Sequence, residues 1–186
     1  NRIRMKLIVF AGLAAALLLI TIFAKYICPY DPYAQDLTQA MQPPSAAHLM
    51  GTDTYGRDML PRVLIGAQTS ISSTFALVAI ITVFGTVVGI FCGYYGGIVD
   101  SVMMRISDVC LAFPGLVFAM AVAAILDGGV RNAVIALALI SWPKYSRIAR
   151  GQTLSIKNLP YMQASQLAGD SVLQMIFRHV LPNIAG

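Results

Sequence analysis

Apolar positions in this chain cluster into four long runs, set apart by polar stretches marked with proline and glycine. The first run, residues 7–27, carries only Lys25 as a charge, at its far end, and matches the roughly 20 apolar residues a transmembrane helix needs. It follows a basic start, Arg2, Arg4 and Lys6, as the apolar region of a signal peptide would. Such a region is only about 7–15 residues long and ends in a small-residue cleavage site, which Tyr26-Ile-Cys-Pro-Tyr does not supply. The pattern predicts a retained first transmembrane helix.

Residues 28–70 turn polar and proline-rich, with Pro29, Pro32, Pro43, Pro44 and Pro61, and predict an exposed connection in which no continuous span starts. Residues 71–95 predict the second span. Within it Gly85, Gly89 and Gly93 share one helical face, a pattern that lets two helices approach closely, with internal packing expected rather than homodimerisation. Residues 101–126 predict the third span, kinked at Pro114 and closed by the Asp127-Gly-Gly-Val-Arg131 turn. Arg105 and Asp108 stand three residues apart there, so mutual pairing and snorkelling of Arg105 are favoured over a transport role. Residues 131–149 hold the shortest apolar run, since Pro143 and Lys144 interrupt it well below the roughly 17 residues a span needs. They predict a fourth span with Lys144 and Arg147 snorkelling, the alternative being a re-entrant hairpin.

The last stretch, residues 158–183, reads as two short helices and a glycine corner. Pro160 suits a first helical turn, Tyr161, Met162, Ser165 and Ala168 fall near one face, and Gly169 sits where a left-handed residue ends a helix. Ser171 with Gln174 forms a capping box, and Val172, Leu173, Ile176, Phe177 and Val180 continue an apolar stripe until Pro182, where the helix is expected to stop.

Composition sharpens this picture. With 186 residues, 58% apolar and 11% charged, and a mean hydropathy of +0.73, the chain is an all-α polytopic membrane protein rather than a soluble domain, which carries about 25% charged residues. Its net charge of +5 is not gathered into the basic patch that nucleic acid requires, so nucleic acid is no partner. Cys28, Cys92 and Cys110 lack Cys-x-x-Cys spacing and imply neither a disulfide framework nor a zinc site. His48 alone is a poor metal candidate, and Met103, Met104 and Met120 read as core fillers. No Gly-x-x-x-x-Gly-Lys-Ser/Thr loop is present, so the chain does not hydrolyse ATP itself. No nucleophile–base pair in the spans points to an enzyme, and no ring of acids to an ion filter.

Two motifs carry a resemblance. Gln163-Ala164-Ser165, then Gly169, then His179-x-Leu181-Pro182-Asn183 resembles the EAA motif of permease subunits in ABC importers, with Gln163 in place of the usual Glu and Ser165 in place of the usual Ala. Gly51-Thr52-Asp53-x-x-Gly56-Arg57-Asp58, preceded by Pro29-Tyr-Asp31-Pro32, resembles the signature of C-type permease subunits in the dipeptide, oligopeptide and nickel branch. Ser141-Trp-Pro-x-Tyr-Ser-Arg147-x-x-Arg150 is similar to the family's end of its helix and favours the span over the hairpin.

The resemblance implies a type I importer permease fold, with four of about six transmembrane helices in this chain and two further ones beyond Asn183, so that the sequence is expected to be a fragment. It implies that residues 158–183 are a cytoplasmic coupling helix that docks on an ATPase. The implied partners are a second permease subunit, two ATP-binding subunits that carry ATP and magnesium, an extracytoplasmic substrate-binding protein and the bacterial inner-membrane bilayer. The implied cargo is di- or oligopeptides, or alternatively nickel or a nickel chelate; a passive channel or membrane scaffold is the rival class. On the residues alone, Gly51 and Gly56 allow tight turns while Asp53, Arg57 and Asp58 can cross-pair, so a structural role for that loop is preferred to ligand contact.

Charge distribution orients the chain. With four spans and the N-terminus inside, the inner segments hold nine basic and three acidic residues, and the outer ones four and five. That obeys the positive-inside rule and places residues 158–183 in the cytoplasm. Cysteine introduced at Ser45 should therefore react with an impermeant thiol reagent from outside, and cysteine at Lys157 only after permeabilisation. Labelling in the reverse order would overturn this orientation.

Overall fold

The computed structural model describes residues 2–27 and 31–184. Cys28, Pro29 and Tyr30, where the expected connection begins, lie outside them. The chain divides into two compact units, residues 1–72 and 73–186.

In the first unit, α1 (Arg2–Ile22) and the short α2 (Ala24–Ile27) precede a long irregular segment with one 3-10 turn, Leu37–Gln39. The side chains of α1 from Arg4 onward are almost all exposed, as an all-round apolar helix meant for lipid would be. The next helix, α3 (Met59–Tyr95), starts well before residue 71, which corrects the expected start of the second span. Pro61 does not prevent this because it sits in the first turn, where a backbone N–H has no intrahelical partner to lose. Asp58 caps that turn, its Oδ1 accepting from the Leu60 N–H at 3.0 Å.

The second unit contains the rest of α3, then α4 (Gly97–Ala112), α5 (Gly115–Ile125), α6 (Gly129–Lys157), α7 (Pro160–Leu167), α8 (Val172–Met175), a π-helical turn (Ile176–Val180) and α9 (Leu181–Ile184). The expected third span is broken. Phe113 and Pro114 separate α4 from α5, and the two axes differ by 91°, far more than a proline kink. Among the described residues two helices, Arg4–Ile22 and Met59–Tyr95, are long and apolar enough to cross a membrane, or three if the bent pair counts as one span. The fourth expected span lies within α6, a single helix that continues through the buried Pro143. Its apolar run is flanked by Arg131 on one side and Lys144, Arg147 and Arg150 on the other, which dilutes its hydropathy. The expected all-α class holds: among the described residues the only β feature is one isolated bridge, Thr52 to Asp58.

The glycine stripe is an internal seam. A Cβ added at Gly85 would lie 2.7 Å from Tyr145 Cβ and 2.8 Å from the Trp142 carbonyl, and one at Gly93 would lie 2.8 Å from Thr153 Cβ. At Gly89 the added carbon would strike the Ser146 carbonyl oxygen and sit 2.7 Å from Ala149 Cβ. Thus α3 and α6 meet backbone to backbone, the contact that small residues permit between helices in lipid. Phe84 and Trp142 extend the seam edge to face at 5.4 Å. Gly89→Val should therefore force the helices apart and destabilise the detergent-solubilised protein by about 1–3 kcal/mol, the usual cost of overpacking. Gly12→Ala, with open space around it, is the control expected to be neutral in the same thermal-unfolding assay.

Candidate functional site

Two places collect the residues that the sequence singles out, one in each unit. In the first, Asp53 is the hub of the Gly51–Asp58 loop. Its Oδ1 accepts from the N–H groups of Tyr55 at 2.9 Å and Arg57 at 3.0 Å. Its Oδ2 accepts from Arg57 Nε at 2.8 Å and also from Arg62, a residue the sequence reading passed over because it lies beyond the motif. The expected cross-pairing is half right. Arg57 pairs with Asp53 alone, whereas Asp58 caps α3 and faces His48, with Nδ1 to Oδ2 at 3.0 Å. The other ring nitrogen of His48 lies 2.6 Å from Gln39 Oε1, so both of its nitrogens serve the loop. The Thr52 hydroxyl, almost buried, donates to the Gln39 carbonyl and accepts from the Gln42 N–H. Gly56 has φ +70°, and a Cβ there would collide with the Asp36 carbonyl, so glycine is required both by conformation and by space.

Burial nudges the Asp53 carboxyl upward, but the Arg57 side chain and the backbone N–H groups of Arg57 and Tyr55 outweigh it and hold its pKa down at about 2. A folded-state pKa below the unfolded value stabilises the loop above the ordinary carboxylate range and loses that contribution as pH falls towards 2. The protection factors of the amides in residues 51–58, taken against the intrinsic exchange rate at each pH, should accordingly fall between about pH 4 and pH 2. Asp53→Asn should show fast exchange already at neutral pH. Equal protection of the variant and the parent at neutral pH would refute the hub.

In the second unit the corner forms as its local sequence dictates. Pro160 opens α7, and Gly169 adopts φ +90° immediately after it. The capping box closes, with Ser171 N donating to Gln174 Oε1 at 2.7 Å and Gln174 N to Ser171 Oγ at 3.3 Å. Nothing lies within 4 Å of a Cβ placed at Gly169, so its backbone angle alone, and not crowding, calls for glycine. Pro182 does not stop the second helix. The π turn at Ile176–Val180 widens the path so that Leu181 N–H reaches the Ile176 carbonyl, and α9 continues through the proline.

The element packs against the rest of the unit through Met162, Met175, Ile176 and Val180, which form one buried cluster with Ile90 of α3, flanked by Tyr94 and Ile156. Of the faces expected from periodicity, Met162 and Ser165 are buried but Tyr161 and Ala168 are exposed. Leu173 and Phe177 turn outwards and line an apolar groove of about 730 Å³ with Phe91 and Ile148. Met175, absent from the expected stripe, takes a core place instead, with the Tyr94 hydroxyl 3.8 Å from its sulfur. Gln163 and Ala164 stay on the surface, the Gln163 amide donating to the Asn158 carbonyl at 3.3 Å. Ser165 Oγ donates to Asp170 Oδ2, His179 Nε2 lies 3.8 Å from the same oxygen, and the Asn183 amide donates to the His179 carbonyl at 2.6 Å. The motif residues of both helices are thereby drawn together around Asp170, which the sequence reading did not single out.

Charges cross between α4 and α6. Arg150 grips Asp100 with two hydrogen bonds of 2.5 Å, and Arg147 bonds Asp108 and, at 3.2 Å, Ser107. Asp108 thus pairs with Arg147 of α6 and not with Arg105 of its own helix. Lys157 bonds the Tyr94 carbonyl and sits 5.7 Å from the centre of its ring, joining the end of α6 to the end of α3.

The model of the family described as binding-protein-dependent transport system inner membrane component matches residues 85–186, more than half of the chain and the whole of this corner. The chain belongs to that family. It is 39% identical over 171 residues to the dipeptide transport system permease protein DppC of Haemophilus influenzae, covering 89% of this chain and 58% of that one. It is 42% identical over 173 residues to the probable D,D-dipeptide transport system permease protein DdpC of Escherichia coli, covering 93% and 58%. The glutathione transport system permease protein GsiD of Pectobacterium atrosepticum is 39% identical over 182 residues, 97% of this chain and 60% of that one. The chain spans less than two thirds of the length of these curated relatives. The resemblance to ABC importer permeases is borne out, and with its apolar helices the chain is a multi-pass inner-membrane protein.

Proposed function

We propose that this chain is part of the membrane-spanning, non-enzymatic permease subunit of an ATP-driven importer for small peptides, and that residues 158–183 couple it to its ATPase. The observation that carries the reading is the corner itself. It belongs to the region matched by the transport family, is seated on the α3 and α6 ends through Met162, Met175, Ile176 and Val180, and leaves Gln163, Ala164 and Leu167 facing outwards. A displacement of that exposed rim would be passed to α3 through a packed cluster, as a lever requires. The rim suits a cleft on an ATP-binding subunit, two of which would carry ATP and magnesium. A second permease subunit and an external binding protein complete the proposed importer, with the corner on the cytoplasmic side as the basic-residue count favours.

Peptide cargo is supported by relatives named for dipeptides and glutathione; the nickel alternative has no such support. The Asp53-centred loop has the satisfied, internally paired character of a scaffold, and we assign it the role of holding its own fold rather than touching cargo.

The test is Gly169→Val in the full-length subunit, assembled with its partners in vesicles. A left-handed backbone costs a β-branched residue about 1–2 kcal/mol, so the corner should reorient, and peptide uptake should fall sharply while the protein still inserts. Gln163→Glu, which restores the family's usual carboxylate on the exposed rim, should leave uptake unchanged or raise it. Normal uptake by Gly169→Val, with ATPase stimulation as in the parent, would favour a passive channel or scaffold instead.

A further inference from the structure

Ser165 is one of the two departures from the usual EAA pattern, and the structure gives it a partner. Where the pattern has a methyl group, this chain has a hydroxyl, on a residue only 8% exposed, that donates to Asp170 Oδ2. The same carboxylate oxygen lies 3.8 Å from His179 Nε2, inside ion-pair range though beyond a hydrogen bond. Asp170 also donates its backbone N–H to the Ser165 carbonyl at 3.2 Å, so it is tied to α7 by both its main chain and its side chain. His179, across the corner, is fixed in turn: Tyr161 of α7 lies against its ring at 6.1 Å, and Asn183 holds its carbonyl. A Cβ placed at Gly169 would meet nothing within 4 Å, so no side-chain crowding at the glycine sets the angle of the corner.

We propose that Asp170 is the positioning residue of this corner: it clasps α7 through Ser165 and the second helix through His179, and so sets the angle that the glycine leaves free. The proposal rests on the coupling reading above and names the groups that make the coupling stiff. A hinge made of one glycine would absorb a push on Leu167 or Gln163 by bending. A carboxylate placed between both arms turns the hinge into a bracket: its charge-assisted hydrogen bond to Ser165 is directional, and the same oxygen faces His179 at ion-pair distance. The buried position of Ser165 strengthens the clasp, since breaking it leaves a desolvated hydroxyl unpaired.

The experiment uses the full-length importer in vesicles, with spin labels at the exposed Leu167 and Phe177 to report the corner angle. Asp170→Ala and Ser165→Ala should each broaden the interlabel distance distribution and lower peptide transported per ATP hydrolysed by about fivefold or more, the lower end of typical coupling free energies. Asp170→Asn can still accept from Ser165 but loses its charge opposite His179, so it should fall between Asp170→Ala and the parent. It also serves if the alanine variant does not assemble. Asp170→Glu, which reaches both partners, should restore most of the coupling and the narrow distribution. A narrow distribution in Asp170→Ala overturns the proposal, as does loss of coupling that Asp170→Glu fails to restore. Gly169→Val separates the two readings: if it abolishes uptake while Asp170→Ala does not, coupling stands and the clasp fails; if Gly169→Val transports normally, coupling itself fails.

Discussion

The contact on which the second unit depends is the backbone-to-backbone meeting of α3 and α6 along Gly85, Gly89 and Gly93. In lipid, helices gain nothing from hiding apolar side chains from each other, so close approach and dispersion have to hold them. The seam achieves this by sealing Ser146 and Thr153 completely and by burying Ala149 and Trp142 beside them. Ser146 shows how tight it is: its hydroxyl is the one buried side-chain oxygen without a hydrogen-bond partner among the described residues. An unpaired buried hydroxyl costs free energy. It stands where the backbones of Gly85 and Gly89 come closest, so a small side chain is needed there, and size has won over hydrogen bonding.

Once α6 is fixed against α3, its remaining faces organise the other helices. Arg147 and Arg150 are three residues apart and therefore point the same way, towards Asp100, Ser107 and Asp108, which share one face of α4. The partner that the sequence offered Asp108 was Arg105, one turn earlier on the same helix. An arginine arriving from α6 displaces that pairing because it also bonds Ser107, and because Asp100–Arg150 holds the two helices in register with a bidentate contact. Pairing rules read along one helix contain no information about the next one.

That difference runs through what the sequence disclosed. Features written in consecutive residues were legible: the glycine corner, the capping box, the Asp53–Arg57 turn and the shared face of the three glycines. Features set by tertiary contact were not. The start of α3 was misplaced because proline counts against a helix only beyond its first turn, and where that turn lies depends on the Asp58 cap. The third span was drawn as one kinked rod, yet Pro114 stands just before α5 after an extended Phe113, and periodicity has no term for a right-angle break. The burial of Met175 in place of Leu173 or Phe177 was equally invisible, since all three are apolar and only the position of Ile90 and Tyr94 decides between them.

The π turn before Pro182 shows how a local conflict is resolved by geometry rather than by composition. Proline lacks the N–H that a helix would use, and its ring presses on the carbonyl one turn earlier, that of Arg178. An α-helix would end there. By widening one turn, the chain lets the Leu181 N–H reach back to Ile176, and the Asn183 side chain takes up the His179 carbonyl. The Leu181-Pro182-Asn183 triplet therefore reads as a disruption flanked by its own repair. Because direction is kept through the proline, Leu181 and Ile184 still reach the cluster around Ile90 and Val180. A helix halted at Pro182 would leave that cluster open on one side, so the wide turn is the condition under which the second arm of the corner stays seated.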